Sequence, residues 1–181
     1  MTRTPSTTLE TDRLVLRPPA TADAAPIQAL CSNWGVVRMT TRMPHPYTID
    51  DARSWIGGRG DRWADGTEYT FALVFDGTIV GVAGIDLKEG AYEIGYWIGE
   101  PWWDRGLATE AVGRLIRFGF DDLGIDRLAA AHFADNPASG RVLAKCGFRY
   151  IGEGMLYSVA RGGKVRALRM ELTRDDGRTG P

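Results

Sequence analysis

The chain has 181 residues, 44% hydrophobic and 25% charged, with a formal net charge of −1 at pH 7. That length suits one domain with a proper core, and the composition is ordinary for a globular protein. The balanced charge argues against a nucleic-acid footprint, which needs a strong basic patch, and no run approaches the roughly 18 apolar residues of a membrane helix.

Residues 1–8 are polar and expected to be disordered. The stretch MTRTPSTTLETDR has no apolar signal segment, which predicts a cytoplasmic protein. Leu14-Val15-Leu16 predict a short strand that Pro18-Pro19 ends. Thr21 or Asp23 can cap a helix running to about Leu30. Helical character around Val36–Thr41 gives way to two prolines before Tyr47. Thr48 starts another helix, with Ala52, Trp55 and Ile56 facing inward. Gly57-Gly58-Arg59-Gly60 reads as a break in it. A phosphate loop is excluded there, because no strand precedes it and no Lys-Ser or Lys-Thr follows.

Tyr69–Phe75 and Thr78–Leu87 predict a hairpin about Asp76-Gly77. Gly81 and Gly84 within it suggest a bulge or a close neighbour. Lys88-Glu89-Gly90 turn into Ala91–Ile98, a strand rich in aromatic and β-branched residues. From Leu107 the period changes: Ala108, Ala111, Val112, Leu115, Ile116 and Gly119 form one helical stripe. Gly124 ends that helix and Arg127–Phe133 is the next strand. Asn136-Pro137 opens a short helix to Cys146, since Asn caps well and Pro fits the first turn. Phe148–Glu153, Tyr157–Val159 and Val165–Glu171 predict the last strands, and residues 174–181 a polar tail. Cys31 and Cys146 have no metal-site or redox spacing, so both read as reduced thiols. The order predicts an α+β mixed sheet with helices on both faces.

The chemistry concentrates where strand 91–98 meets the long helix. Arg105-Gly106-Leu107-Ala108-Thr109 put a glycine and small residues where the helix begins. The first N–H groups of a helix have no internal partner, and its dipole adds partial positive charge there. A pyrophosphate can dock on such amides when no side chain blocks it. Arg105 adds a full charge and Thr109 a hydroxyl. An ordinary strand-to-helix turn would use the same glycine, and physics alone does not separate the two.

Trp103-Asp104-Arg105-Gly106-Leu107-Ala108 resembles motif A of the GNAT N-acetyltransferases, Q/R-x-x-G-x-G/A, with Trp103 where Gln or Arg is usual. The wider run is similar to the RimJ/RimL-like branch, which acetylates ribosomal-protein N-termini. The likeness extends from Leu9 to Leu172. It implies a GNAT-like fold, one acetyltransferase domain over residues 9–173, and a splayed central strand pair that admits acetyl-CoA. It also implies cofactor contacts at Arg105, Gly106, Leu107, Ala108 and Thr109, and at the backbone of Trp97 and Ile98, near which N–H groups could hold the thioester carbonyl.

Ala134–Ser139 and Lys145-Cys146-Gly147-Phe148 resemble the family's later motif. By that likeness Asn136 contacts the pantetheine arm and Ser139 lies near the sulfur. Asn136 also suits a plain helix cap, and it can be both. Many relatives place a Tyr general acid seven residues after that Asn, where this chain has Leu143. Ser139 lies four residues before Leu143, on the same helix face, and is the natural substitute. The demand on it is modest, since thiols ionise near pH 8.5 and a thiolate leaves tolerably well. Tyr150 and Tyr157 are weaker candidates.

A base must take the amine proton. Glu93 is the first candidate, then Asp86 and Glu100, each of which also suits a solvated surface charge. Trp34, His45 and Tyr47 fall in the region expected to border the acceptor, although core packing is the simpler role for the aromatics. The activity implied is direct acetyl transfer from acetyl-CoA to a primary amine, either a protein N-terminus or a small molecule. The alternative is a non-catalytic acyl-CoA-binding or sensing module. A generic nucleotide binder fits poorly, as there is no Walker lysine and no GxGxxG. No metal, nucleic-acid or membrane partner is expected, and edge strands at the C-terminus leave room for a homodimer.

Overall fold

The computed structural model describes residues 7–177, so the expectations for residues 1–6 and 178–181 lie outside the described residues. Strands β1 (Leu9–Glu10) and β2 (Leu14–Arg17) open the chain as a tight antiparallel hairpin. Two residues are too few to show a sequence pattern, and β1 was not anticipated. A 3-10 turn at Thr21–Asp23 leads into α1 (Ala24–Cys31). Asp23 does not cap that helix with its side chain; it accepts from the Ala20 amide and pairs with Arg17 at 2.7 Å.

Asn33 caps the short α2 (Trp34–Val37) by accepting from the Gly35 amide. Thr48 caps α3 (Ile49–Gly57) in a reciprocal box with Asp51. The helix breaks at Gly58, as the glycine cluster predicts, and α4 (Arg59–Ala64) follows. Then come β3 (Glu68–Phe75), β4 (Thr78–Lys88) and β5 (Ala91–Ile98), a meander of three antiparallel strands. Helix α5 (Leu107–Arg117) continues into a π-helical turn at Phe118–Asp122, before β6 (Arg127–Phe133) and α6 (Pro137–Lys145).

The last strands differ from the expectation. Residues 149–158 form one strand, β7 (Arg149–Ser158), paired along its length with β8 (Gly163–Thr173). Gly152 and Gly154 interrupt the apolar pattern, but the ladder, which needs only main-chain groups, continues past a bulge between Tyr150 and Gly152. The expected tail begins with a helical turn at Arg174–Gly177.

The eight strands form one sheet in the order β1-β2-β3-β4-β5-β6-β8-β7, antiparallel throughout except for β5 and β6. This is the expected mixed sheet. Its two faces carry separate cores. Alternate residues of β3, β4 and β5, such as Phe71, Ile85 and Ile94, bury against Leu107, Ala111, Val112 and Leu115 of α5. The intervening residues, such as Ala72, Val82 and Trp97, meet Ile27 of α1 and Ala52 and Ile56 of α3. Burying an aliphatic side chain of this kind contributes about 1.5–3 kcal/mol, so the long helix is held by its stripe. Among the described residues no helix is long and apolar enough to cross a membrane.

Candidate functional site

The sheet opens at one place. β5 and β6 pair only at Tyr92 with Leu128, Glu93 with Ala129 and Ile94 with Ala130. Past Ile94 the two strands part, as expected for a splayed central pair. One wall of the wedge is Gly95–Ile98, the other is Ala131–Phe133, and α5 and α6 start beyond their ends.

Gly106 is the N-cap of α5, with φ +75°, and no side chain caps the helix. The first N–H groups of α5 are therefore left without a side-chain partner. A Cβ on Gly106 would meet only the Arg13 guanidinium, at 3.5 Å, so the approach to those amides is open. Leu107 turns into the core, while Arg105 is exposed and Ala108 and Thr109 are half-buried. Arg13 fixes the turn from outside: it donates to the Arg105 carbonyl at 2.9 Å and pairs with Glu110 at 2.6 Å. Trp103 fixes it to the end of β5, its indole N–H donating to the Ile98 carbonyl at 2.7 Å.

Strand alternation decides which amides face the wedge. The Gly99 amide donates to the Val80 carbonyl, and a Cβ on Gly81 would run into the Trp97 carbonyl. Gly99 and Trp97 thus turn their main-chain groups to β4. Tyr96 and Ile98, the alternate residues, turn theirs to the wedge. Of the two amides considered from sequence, the Ile98 N–H faces the wedge and the Trp97 N–H faces β4.

On the opposite wall, Asn136 Oδ1 accepts from the Ser139 amide at 3.2 Å and caps α6. The half-buried Ser139 hydroxyl lies 2.8 Å from Tyr96 Oη. Burial, ahead of the opposing hydrogen bond with Ser139, raises the Tyr96 phenol above its ordinary value. Tyr96 was not singled out from sequence. Its alternation with Ile94 and Ile98 could have placed it on the α5 face, but nothing local shows that α6 arrives there. Cys146 Sγ donates to the Thr109 carbonyl at 3.6 Å and so ties α6 to α5; burial pushes its thiol up to about 11. Leu143 is buried in the core.

Glu93 lies on the other face of β5. It pairs with Lys88 and sits across from Asp86, which Arg42 holds at 2.5 Å. Gly95 is exposed and has nothing near its Cβ direction, so it leaves a bare floor between Glu93 and Trp97. Glu100 instead accepts from the Asn33 side chain, outside the wedge. Trp34 and His45 meet at the surface as a tilted pair, with ring centroids 5.1 Å apart. Tyr47 is buried in the α1–α3 core. Tyr150 is 55% exposed and contacts His132 Nε2 at 3.1 Å, and Tyr157 is equally exposed on the edge strand. The structure therefore gathers Arg105–Thr109, Ile98, Asn136 and Ser139 around the wedge, and sets Glu93 and Asp86 on the sheet face towards α1 and α3.

The acetyltransferase (GNAT) domain family matches residues 13–149. An uncharacterized N-acetyltransferase, YoaA of Bacillus subtilis, is 38% identical over 152 residues, spanning 80% of this chain and 84% of that protein. The L-amino acid N-acetyltransferase AaaT of Escherichia coli is 27% identical over 87% of this chain and 96% of its own. Among solved structures, RimL, a ribosomal L7/L12 α-N-protein acetyltransferase in complex with coenzyme A, superposes with a TM-score of 0.83 at 18% identity, covering 93% of this chain and 99% of that one.

Proposed function

This chain belongs to the GNAT acetyltransferase family, and on that premise we propose that it moves the acetyl group of acetyl-CoA directly to a primary amine. The observation that carries the proposal is the wedge past Ile94, with the uncapped amides of α5 at its mouth. A glycine with an open Cβ direction, amides without a cap and the nearby Arg105 suit a pyrophosphate. Arg105–Thr109 would hold it, and Asn136 and Ser139 would flank the pantetheine arm.

Acetyl-CoA supplies the thioester whose acetyl group is transferred. Glu93 takes the proton of the incoming amine, directly or through water, from the face where Gly95 leaves room. The Ile98 N–H donates to the carbonyl oxygen as negative charge develops, a contribution of about 3 kcal/mol for one such donor. Ser139 donates to the leaving sulfur. The N–C bond forms, the C–S bond breaks, and the products are an acetamide and a free thiol.

The acceptor is a protein N-terminus or a small amine. The relatives' names point both ways, to free L-amino acids for AaaT and to a ribosomal-protein N-terminus for RimL. The α-amine of a peptide N-terminus titrates near pH 8 against about 10.4 for lysine, so a peptide N-terminus asks less of the base. We further infer that residues 9–173 act as one domain, because all eight strands from β1 to β8 belong to one sheet, and that the protein works in the cytoplasm.

A second proposal, an acyl-CoA sensor, draws support from the buried Leu143 in place of a Tyr acid and from the Lys88 pair on Glu93. Acetyl-CoA binding and CoA release measured against N-terminal peptides, polyamines, aminoglycosides and free amino acids test both. Acceptor-dependent release is expected from the enzyme. Tight binding without release across the panel would favour the sensor.

A further inference from the structure

Ser139 does not stand alone at the wedge. Tyr96 Oη lies 2.8 Å from Ser139 Oγ and 3.1 Å from the Ser139 main-chain carbonyl. A carbonyl oxygen only accepts, and a phenol carries one proton. Two arrangements follow. In one, the phenol donates to the carbonyl, and the serine proton turns back to Tyr96. In the other, the phenol donates to Oγ, the shorter contact, and the serine proton is left to point into the wedge. The Ser139 amide is already held by Asn136, so the hydroxyl rotor is the part left to set.

We propose that Tyr96 is a positioning residue for the acyl transfer, holding Ser139 Oγ as an acceptor so that the serine O–H is aimed at the leaving sulfur. The role presupposes the acetyl transfer and the Ser139 assignment proposed above. Position favours it. Tyr96 stands two residues past the last β5–β6 pair, and its contact with α6 bridges the apex of the wedge. Burial favours it too, because a phenol raised above its ordinary value keeps its proton and remains a donor at neutral pH. In this arrangement the single phenol proton goes to Oγ, so the hydrogen bond to sulfur comes from Ser139. The electron pair of the broken C–S bond stays on sulfur, which accepts the Ser139 hydrogen bond and draws its proton from solvent through that hydroxyl.

A double-mutant cycle tests this. Wild type, Tyr96→Phe, Ser139→Ala and the double variant are compared for kcat, for acetyl-CoA affinity by calorimetry and for thermal midpoint. Tyr96→Phe removes one oxygen and keeps the ring, so the fold should survive. It is expected to lower kcat about tenfold, part of the 10²–10⁴-fold typical of acid–base assistance, with acetyl-CoA affinity unchanged. In the Ser139→Ala background the same change should cost nothing more, and the midpoint shifts should be non-additive in the same sense. Losses that multiply in the double variant would make Tyr96 merely structural and overturn the proposal. So would an unchanged kcat in Tyr96→Phe while wild type turns over. A wild type that binds acetyl-CoA yet releases no CoA with any acceptor would overturn the transfer function first, and this role with it.

Discussion

The Arg13 guanidinium reaches across to the main-chain carbonyl of Arg105 at 2.9 Å, while its other nitrogens hold Glu110. The hairpin of β1 and β2 is thereby bolted to the turn that presents the first amides of α5. Arg13→Ala is expected to loosen that turn and raise KM for acetyl-CoA several-fold, with kcat little changed. Arg13→Lys should not rescue it, because one ammonium cannot reproduce the fork that meets a carbonyl and a carboxylate together. Steady-state kinetics with acetyl-CoA varied would check this, and an unchanged KM in both variants would count against it.

Glu110 gives the same joint a pH dependence. Burial opposes its ionisation, but hydrogen bonds from Thr11 and from the Arg13 main chain and side chain outweigh it, so its pKa falls below the usual value. A carboxylate with a lowered folded-state pKa adds stability that is complete above its unfolded value, about 4.3, and is lost as pH falls through the folded one. Wild type should therefore exceed Glu110→Gln in urea stability at pH 7, and the gap should narrow below about pH 4.3. A gap that stays constant down to pH 3 would show that Glu110 acts by packing alone.

Trp103 occupies the position where the family pattern has Gln or Arg, and its indole N–H goes to the Ile98 carbonyl at 2.7 Å. The substitution thus buttresses the splayed wall. Trp103→Phe keeps a ring but loses the donor, and should cost about 1 kcal/mol, the net worth of one hydrogen bond. In a chain of this size that is a fall of about 2–4 °C in thermal midpoint. An unchanged midpoint would mean that water replaces the indole at no cost.

The parts legible in the sequence are those written in local pattern. The joint at Gly106 shows as a glycine between a period of two and a period of 3.6, and α6 shows as Asn-Pro before a short apolar stripe. What stayed hidden depends on which strands become neighbours. Tyr96 and Ser139 are 43 residues apart, and their meeting follows from β6 joining β5 for only three pairs. Arg13 is 97 residues from Glu110, and no periodicity joins them. The sequence shows β7 as two pieces because Gly152 and Gly154 erase the side-chain signal, while β8 pairs with both across the bulge between Tyr150 and Gly152. The direction of the Trp97 and Ile98 amides was likewise unreadable, since it depends on the phase of the pairing with β4.

That phase also bears on the base. Asp86 and Glu93 are directly paired across β4 and β5, so their side chains share the face turned to α1 and α3. Each has a cation, Arg42 for Asp86 and Lys88 for Glu93. Only Glu93 stands on the splayed strand itself, two residues from the exposed Gly95, and so borders the bare patch of the sheet. Glu93→Gln is therefore expected to lower kcat about 10²–10⁴-fold, the range for a general base, with acetyl-CoA affinity preserved. Asp86→Asn should cost much less, since its loss frees Arg42 without removing the base. The loss in Glu93→Gln should shrink as pH rises, because more of the acceptor amine then arrives already neutral. Rate profiles over pH 6–10 with one active acceptor would measure it. If Asp86→Asn loses more than Glu93→Gln, the base stands on β4; if neither variant slows, the amine loses its proton to solvent before it attacks.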